Sequence, residues 1–329
     1  MNPPLPTTLE HISVEPETKV LSKVSAPMPT LQPGQILIKV AAAGVNRLDW
    51  LQRHGHYPVP ATDSDILGLE VAGEVIAIAP DVPDDWLGHH VCALVAGGGY
   101  ASHAVAHTSL SFPIPEHWAT EDCASLPEAC LTIWNTLFRL GRLQKGETVL
   151  IHGGSSGIGV YAIQILKALG HTVITTAGSE EKCHACLQLG ADIAINYKTQ
   201  SFSAVLRQKH ILVDVVLDMV GGEYIQQDID CMNQDGRIIL IAFQAGRKAE
   251  IDLAKLLGKR IQLIGSTLRS LSLPEKADIA RQVQHTIWPL LAAQQVRPVI
   301  AKRIKLENVE EAHAILEIHD HIGKLLLLP

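Results

Sequence analysis

One string constrains the fold more than any other: Val149-Leu-Ile-His-Gly-Gly-Ser-Ser-Gly-Ile-Gly-Val160. Val149, Leu150 and Ile151 read as a short buried strand, and glycines follow at 153, 154, 157 and 159. From Val160 to Gly170 apolar residues recur at helical spacing and stop on a glycine. Strand, glycine turn and helix together aim unspent backbone N–H groups and a positive helix end at an anion. A Cβ on the turn would hold a pyrophosphate away from the backbone, and some turn positions need positive φ. The expectation is a phosphate-binding loop for a dinucleotide, made by Gly154, Ser155, Ser156, Gly157 and Ile158.

Two other motifs match the same residues. Gly153-Gly-Ser-Ser-Gly157 satisfies the nucleophile elbow of α/β hydrolases, with Ser155 as nucleophile. That reading needs an acid and a late histidine, for which His285, His313, His319 and His321 are available, but a β-rich first half fits it poorly. The turn also resembles the opening loop of short-chain dehydrogenases. None of the five tyrosines is followed four residues later by lysine, so that family's Tyr-x-x-x-Lys pair is missing.

The 329 residues suffice for one large or two medium domains. A hydrophobic share of 47% against 19% charged is ordinary for a soluble enzyme. A net charge of −7 and no basic stripe argue against nucleic acid as partner. No apolar run is long enough to cross a membrane, and no basic-then-apolar leader opens the chain, so a cytoplasmic location is expected. The six cysteines read as free thiols. Cys183-His-Ala-Cys186 has redox or half-zinc spacing, but no second such pair exists and its surroundings have helical periodicity, so it reads as structural.

Along the chain, residues 11–30 suggest short strands and turns, and 35–44 a strand ending on glycine. Residues 66–79 read as a glycine-kinked pair of strands, and two more follow near 88–95 and 100–106. After Asp122 the period changes. A long helix is expected over 124–140, then strands and helices alternate: 148–152, 157–169, 172–177, 180–189, 192–196 and 201–209. Strands at 213–218, 237–242 and 261–265, a helix over 277–293, a strand at 297–302, a helix over 307–318 and a strand at 324–328 complete the pattern. Such alternation implies a doubly wound parallel sheet.

Several strings, in this order, are similar to the zinc-free quinone oxidoreductase (zeta-crystallin-like) branch of the medium-chain dehydrogenase/reductase superfamily. They are Gly44-Val-Asn-Arg-Leu-Asp49, the Tyr57-Pro loop, Ile66-Leu-Gly-Leu-Glu-Val-Ala-Gly73, the turn at 153–159, Asp218-Met-Val-Gly-Gly222, Leu268-Arg269-Ser270 and Ile322-Gly-Lys324. The resemblance implies an α/β protein: a GroES-like, mainly antiparallel β domain over 1–123 and 268–329, and a Rossmann-like NADP(H)-binding domain over 124–267. Zinc-dependent members carry a cysteine just after the strand that ends here at Gly44, and Gly-His-Glu where this chain has Gly68-Leu69-Glu70. With Val45 and Asn46 after Gly44 and Leu69 in place of the histidine, the tetrahedral ligand set is missing, and no metal is expected.

An acid roughly 20 residues past the glycine turn marks NAD specificity. Here the strand end is Thr175-Thr-Ala-Gly-Ser179, without an acid, which favours NADP(H). Gly178 leaves room for a 2′-phosphate, Ser179 offers a hydroxyl and Lys182 a cation, although Ser179 also suits a helix N-cap. By resemblance Tyr197 lines the adenosine end. The resemblance further implies Asn46 and Tyr57 beside the nicotinamide with Asp49 behind them, and Thr132 at the same end. Val220, Gly221 and Phe243 would line the cofactor, with Arg269 and Lys324 closing over it. The reaction implied is hydride transfer to a quinone. An enone or alkenal acceptor, and a low-turnover NADPH-binding protein with a structural or RNA role, stand as alternatives. A homodimer through the edge strand near 261–265 is expected, since open edges invite pairing.

Overall fold

A computed structural model of the chain describes residues 6–329. The chain forms two compact units. The first holds the described residues up to Ala129 with Ser272–Ala292 and Pro298–Pro329; the second holds Cys130–Leu271 and Ala293–Arg297.

In the first unit β1 (Thr8–Val14) and β2 (Leu21–Pro27) form an antiparallel hairpin. Then come β3 (Gln35–Val45), α1 (Arg47–Arg53), β4 (Glu70–Ile78), β5 (His90–Leu94), β6 (His103–His107) and β7 (Ser111–Pro113). β3 pairs antiparallel with both β4 and β6, and β4 with β5. The pair of strands expected over 66–79 is a single strand, β4. Gly68 has φ +98° and leads the chain into β4 rather than pairing within it. Gly73, inside β4, permits a close crossing: a Cβ there would lie 2.0 Å from the Lys39 carbonyl oxygen.

The helix expected over 124–140 is broken in character. After a 3₁₀ turn at Glu121–Ser125, α2 (Pro127–Ile133) opens on proline, whose fixed φ suits a first turn. It then widens into a π-helical stretch over Trp134–Leu140. The Thr136 hydroxyl donates to the carbonyls of Thr132 (2.7 Å) and Ile133 (3.1 Å), competing with the regular backbone ladder.

The second unit continues with β8 (Thr148–His152), α3 (Gly159–Ala168), β9 (Thr172–Ala177), α4 (Glu180–Gln188), β10 (Ile193–Asn196) and α5 (Phe202–Gln208). β11 (Val213–Asp218), α6 (Tyr224–Cys231), β12 (Met232–Leu240), α7 (Leu253–Gly258) and β13 (Gln262–Gly265) complete it. The sheet is parallel throughout, in the order β10-β9-β8-β11-β12-β13. The winding direction reverses between β8 and β11, the position where sheets of this kind bind ligands beyond the strands' carboxyl ends. β8 owes its central place to Val149, Leu150 and Ile151, all fully buried. Each such side chain contributes about 1.5–3 kcal/mol of burial. Arg237 fastens β12 to the turn before β8, meeting both Glu147 carboxylate oxygens (2.8 and 2.7 Å) and the Gly141 carbonyl (2.6 Å).

The final segment returns to the first unit. A Ser272–Glu275 capping box and Pro274 start α8 (Leu273–Thr286) earlier than the expected 277, and a separate α9 (Trp288–Ala292) follows. β14 (Ile300–Lys305), α10 (Val309–Ile318) and β15 (Lys324–Leu328) end the chain. β15 pairs parallel with β14 and antiparallel with β3, setting Leu325 opposite Val45. None of the described helices is long and apolar enough to cross a membrane.

Candidate functional site

In the second unit the glycine turn leaves β8 at its carboxyl end. Gly153 takes φ +72°. Gly154 N–H bonds the Thr176 carbonyl (3.0 Å) and Ser156 N–H bonds the Gly153 carbonyl (2.9 Å). Ser156 Oγ accepts from Gly159 N–H at 3.0 Å, the bond of an N-cap. The N–H groups of Ser155, Gly157 and Ile158 are left without a protein acceptor among the described residues, at the positive end of α3. A Cβ on Gly159 would sit 2.4 Å from the Gly153 oxygen and 2.6 Å from the Gly154 oxygen. The turn therefore closes on itself through that glycine.

Beyond β9, Gly178 lies under Tyr197, whose hydroxyl would be 2.7 Å from a Cβ there. Ser179 caps α4, its Oγ accepting from Lys182 N–H at 3.2 Å, which leaves the hydroxyl proton for another acceptor. Gly178, Ser179, Lys182 and Tyr197 thus share one end of the sheet. Glu180 also lies there, drawn to one side by Asn196 Nδ2 at 2.7 Å. Beyond β11, Gly221 has φ +66°, and a Cβ on it would approach the Phe243 Cα and Cβ to 3.1 Å. Val220 and Phe243 are thereby neighbours, joined also by the Ala245 N–H bond to the Val220 carbonyl (2.8 Å). Thr132 is buried on α2. The bond from Asn135 Nδ2 to Ser266 Oγ (3.0 Å) ties the segment carrying Arg269, itself buried, to that helix.

In the first unit the expected residues Asn46, Asp49 and Lys324 meet in one buried network. Its other members are Glu70, a member of the 66–73 motif, His313, considered only as a hydrolase histidine, and Tyr100, to which no role was assigned from sequence. Asp49 Oδ2 accepts from Asn46 N–H (2.8 Å) and from the Tyr100 hydroxyl (3.0 Å), and Oδ1 from Gly68 N–H (3.2 Å). Burial pushes the Asp49 carboxyl up to about 7, against those hydrogen bonds and the charge of Lys324. Tyr100 Oη also lies 3.4 Å from His313 Nε2. Burial lowers His313 to about 3, and Arg53 and His54 add to the shift, so its ring is neutral.

Lys324, 2% exposed, forms an ion pair with Glu70 Oε1 and donates to Asn46 Oδ1 at 2.7 Å. Asn46 Nδ2 donates to the same Glu70 oxygen at 2.9 Å, and Glu70 Oε2 accepts from Glu128 N–H at 2.9 Å. Gly44 makes room for that carboxylate: a Cβ there would stand 2.2 Å from Glu70 Oε1. Tyr57 is half-buried in the bend after α1. Glu70 belongs to a motif legible in the sequence. Its partner is 254 positions away, and only the β3–β15 pairing brings the two together.

A second buried group went unread. His152, the last residue of β8, meets Asp228 Oδ1 through Nε2 at 2.8 Å and Thr176 Oγ1 through Nδ1 at 3.0 Å. Burial works against its charge, but the Asp228 carboxylate, with Asp218 beyond it, holds the imidazole above its ordinary range. Asp218, close by, accepts from Val220 and Gly221 N–H. The ring beside the turn is therefore committed to Thr176 and Asp228 rather than to Ser155. Cys183 and Cys186 are both buried in α4, and burial pushes the Cys186 thiol up to about 12.

Residues 32–116 match the alcohol dehydrogenase GroES-like domain family, and residues 157–284 the zinc-binding dehydrogenase family. A quinone oxidoreductase of Mus musculus is 32% identical over 94% of this chain and 93% of its own length. A Streptomyces halstedii polyketide synthase, GfsB, is 32% identical over 98% of this chain, which spans 5% of that protein. The Escherichia coli quinone oxidoreductase, solved with NADPH, superposes with TM-score 0.85 at 25% identity, covering 98% of this chain and 100% of that one.

Proposed function

The chain belongs to the quinone oxidoreductase branch of the medium-chain dehydrogenase/reductase superfamily, and from that premise we propose that it is an NADPH-dependent reductase of quinones or related electrophilic carbonyl compounds. The observation that carries this reading is the turn after β8, where the N–H groups of Ser155, Gly157 and Ile158 are unspent at a helix N-terminus. A diphosphate fits that cradle, and the E. coli relative was solved with NADPH. The β9 end offers Gly178, the Ser179 hydroxyl and Lys182 to a 2′-phosphate, under Tyr197.

When bound, NADPH supplies the hydride. The chain's task is then to orient the acceptor and to stabilise charge developing on its oxygen, with water held away. Asn46 is the proposed donor to that oxygen, with Tyr57 beside it and Asp49 holding the Asn46 backbone from behind. Thr132, Val220, Gly221, Phe243 and Arg269 are proposed to line the cofactor. No strong general acid is required, since a reduced quinone collects protons from solvent. Six buried cysteines held as thiols, outside any disulfide, support action in the cytoplasm as part of this proposal.

The test is the loss of NADPH absorbance with a small quinone in parallel with an enal. Turnover with the quinone, faster than with the enal, is the expected result. Turnover confined to the enal would move the reaction to double-bond reduction, and binding without either turnover would favour a non-catalytic role.

A further inference from the structure

Lysine can only donate hydrogen bonds and an ionised carboxylate can only accept them. Asn46 lies between one of each, so its amide has no freedom to flip. Oδ1 must face Lys324 Nζ and Nδ2 must face Glu70 Oε1, as the 2.7 and 2.9 Å contacts have it. One Nδ2 hydrogen is thereby spent on Glu70. The second has no protein acceptor among the described residues, although the side chain is only 7% exposed. The backbone is held as firmly: Asn46 N–H bonds Asp49, and the opposite face of Glu70 is fixed by Glu128 N–H.

We propose that Lys324 and Glu70 are positioning residues that set the direction of the Asn46 amide, so that its remaining N–H points to the acceptor oxygen. This rests on the reductase reading above. Lys324 then acts through Asn46 rather than by gripping the cofactor, in contrast to the role the family resemblance implied. An amide free to turn would offer its carbonyl oxygen to the substrate half of the time and repel the charge that forms there.

The distinguishing experiment is a double-mutant cycle on the full chain: Lys324→Met, Asn46→Ala and the pair together. Each is read by kcat and KM with a small quinone, and by NADPH affinity from fluorescence titration. Lys324→Met is expected to lower kcat by about 10- to 100-fold while NADPH affinity stays within about twofold. In the Asn46→Ala background the same change is expected to have no further effect on kcat, because the group it positions is gone. Lys324→Arg, which keeps a donor, is expected to recover part of the loss.

Additive effects in the cycle, or a fall in NADPH affinity that accounts for the whole loss, would overturn the proposal. Should Lys324→Met fail to fold, Glu70→Gln is run through the same cycle, since its amide no longer dictates which end of Asn46 it meets. Here too additivity overturns and non-additivity supports. A wild-type chain that binds NADPH but reduces neither quinone nor enal fails at the reductase reading, before the cycle begins.

Discussion

Asp49 shows how one residue couples the fold to the site. Its carboxyl holds the Asn46 and Gly68 backbones and the Tyr100 hydroxyl, yet burial lifts it from 3.8 to about 7. A carboxyl raised on folding makes the native state bind more protons than the unfolded chain between those values. Its contribution to stability is therefore full below about pH 4 and lost as pH rises through about 7. Thermal melts of wild type and Asp49→Asn across this window are expected to show the wild type's advantage shrinking with rising pH. A constant difference would contradict the raised carboxyl. From sequence Asp49 was legible as a motif member behind Asn46. Its Tyr100 partner, 51 positions away, was not, because nothing local marks a tyrosine on a distant bend as its donor. His152 was equally hidden, since its partner Asp228 lies 76 positions away on α6 and nothing local to either residue marks the pair.

At the scale of elements, the β8–turn–α3 unit was the most legible part of the chain because its glycines have separate steric reasons. Gly159 faces two backbone oxygens that cannot move without opening the turn. Gly159→Ala is therefore expected to cost about 1–3 kcal/mol of stability and to weaken NADPH binding, measured by denaturant unfolding and fluorescence titration. Gly258→Ala, at the end of α7 with open space around it, serves as control and is expected to be neutral or slightly stabilising. Equal losses in both would contradict the steric argument. α7 was missed for a physical reason: none of its residues is buried, and Leu253 and Leu257 are exposed, so no core-facing stripe marks it as a helix. The long helix after Asp122 was placed correctly but not its π-helical second half, which depends on where the Thr136 hydroxyl turns.

For the whole molecule, the change of period after Asp122 was enough to distinguish an antiparallel β-sheet from a parallel one, and the family follows from both. The resemblance placed 268–329 with the first domain, but a linear reading could not supply the pairing of β15 with β3, which delivers Lys324 to Asn46. β13 lies at the open edge of the parallel sheet, with Leu263 exposed on it, and we propose that a second copy pairs there. Light scattering is expected to give twice the chain mass for wild type and the single mass for Leu263→Lys; a monomeric wild type would contradict this. The central claim is that the unspent amides after β8 and the end of β9, where residues 175–179 carry no acid, together receive a phosphorylated dinucleotide. Calorimetric titration of the purified chain with NADPH and NADH, repeated on Lys182→Glu, tests it most directly. The expected result is tighter binding of NADPH, by about tenfold or more for roughly 1.4 kcal/mol of added contact, with that preference lost in the variant. No heat from either nucleotide, or a preference for NADH, would contradict it.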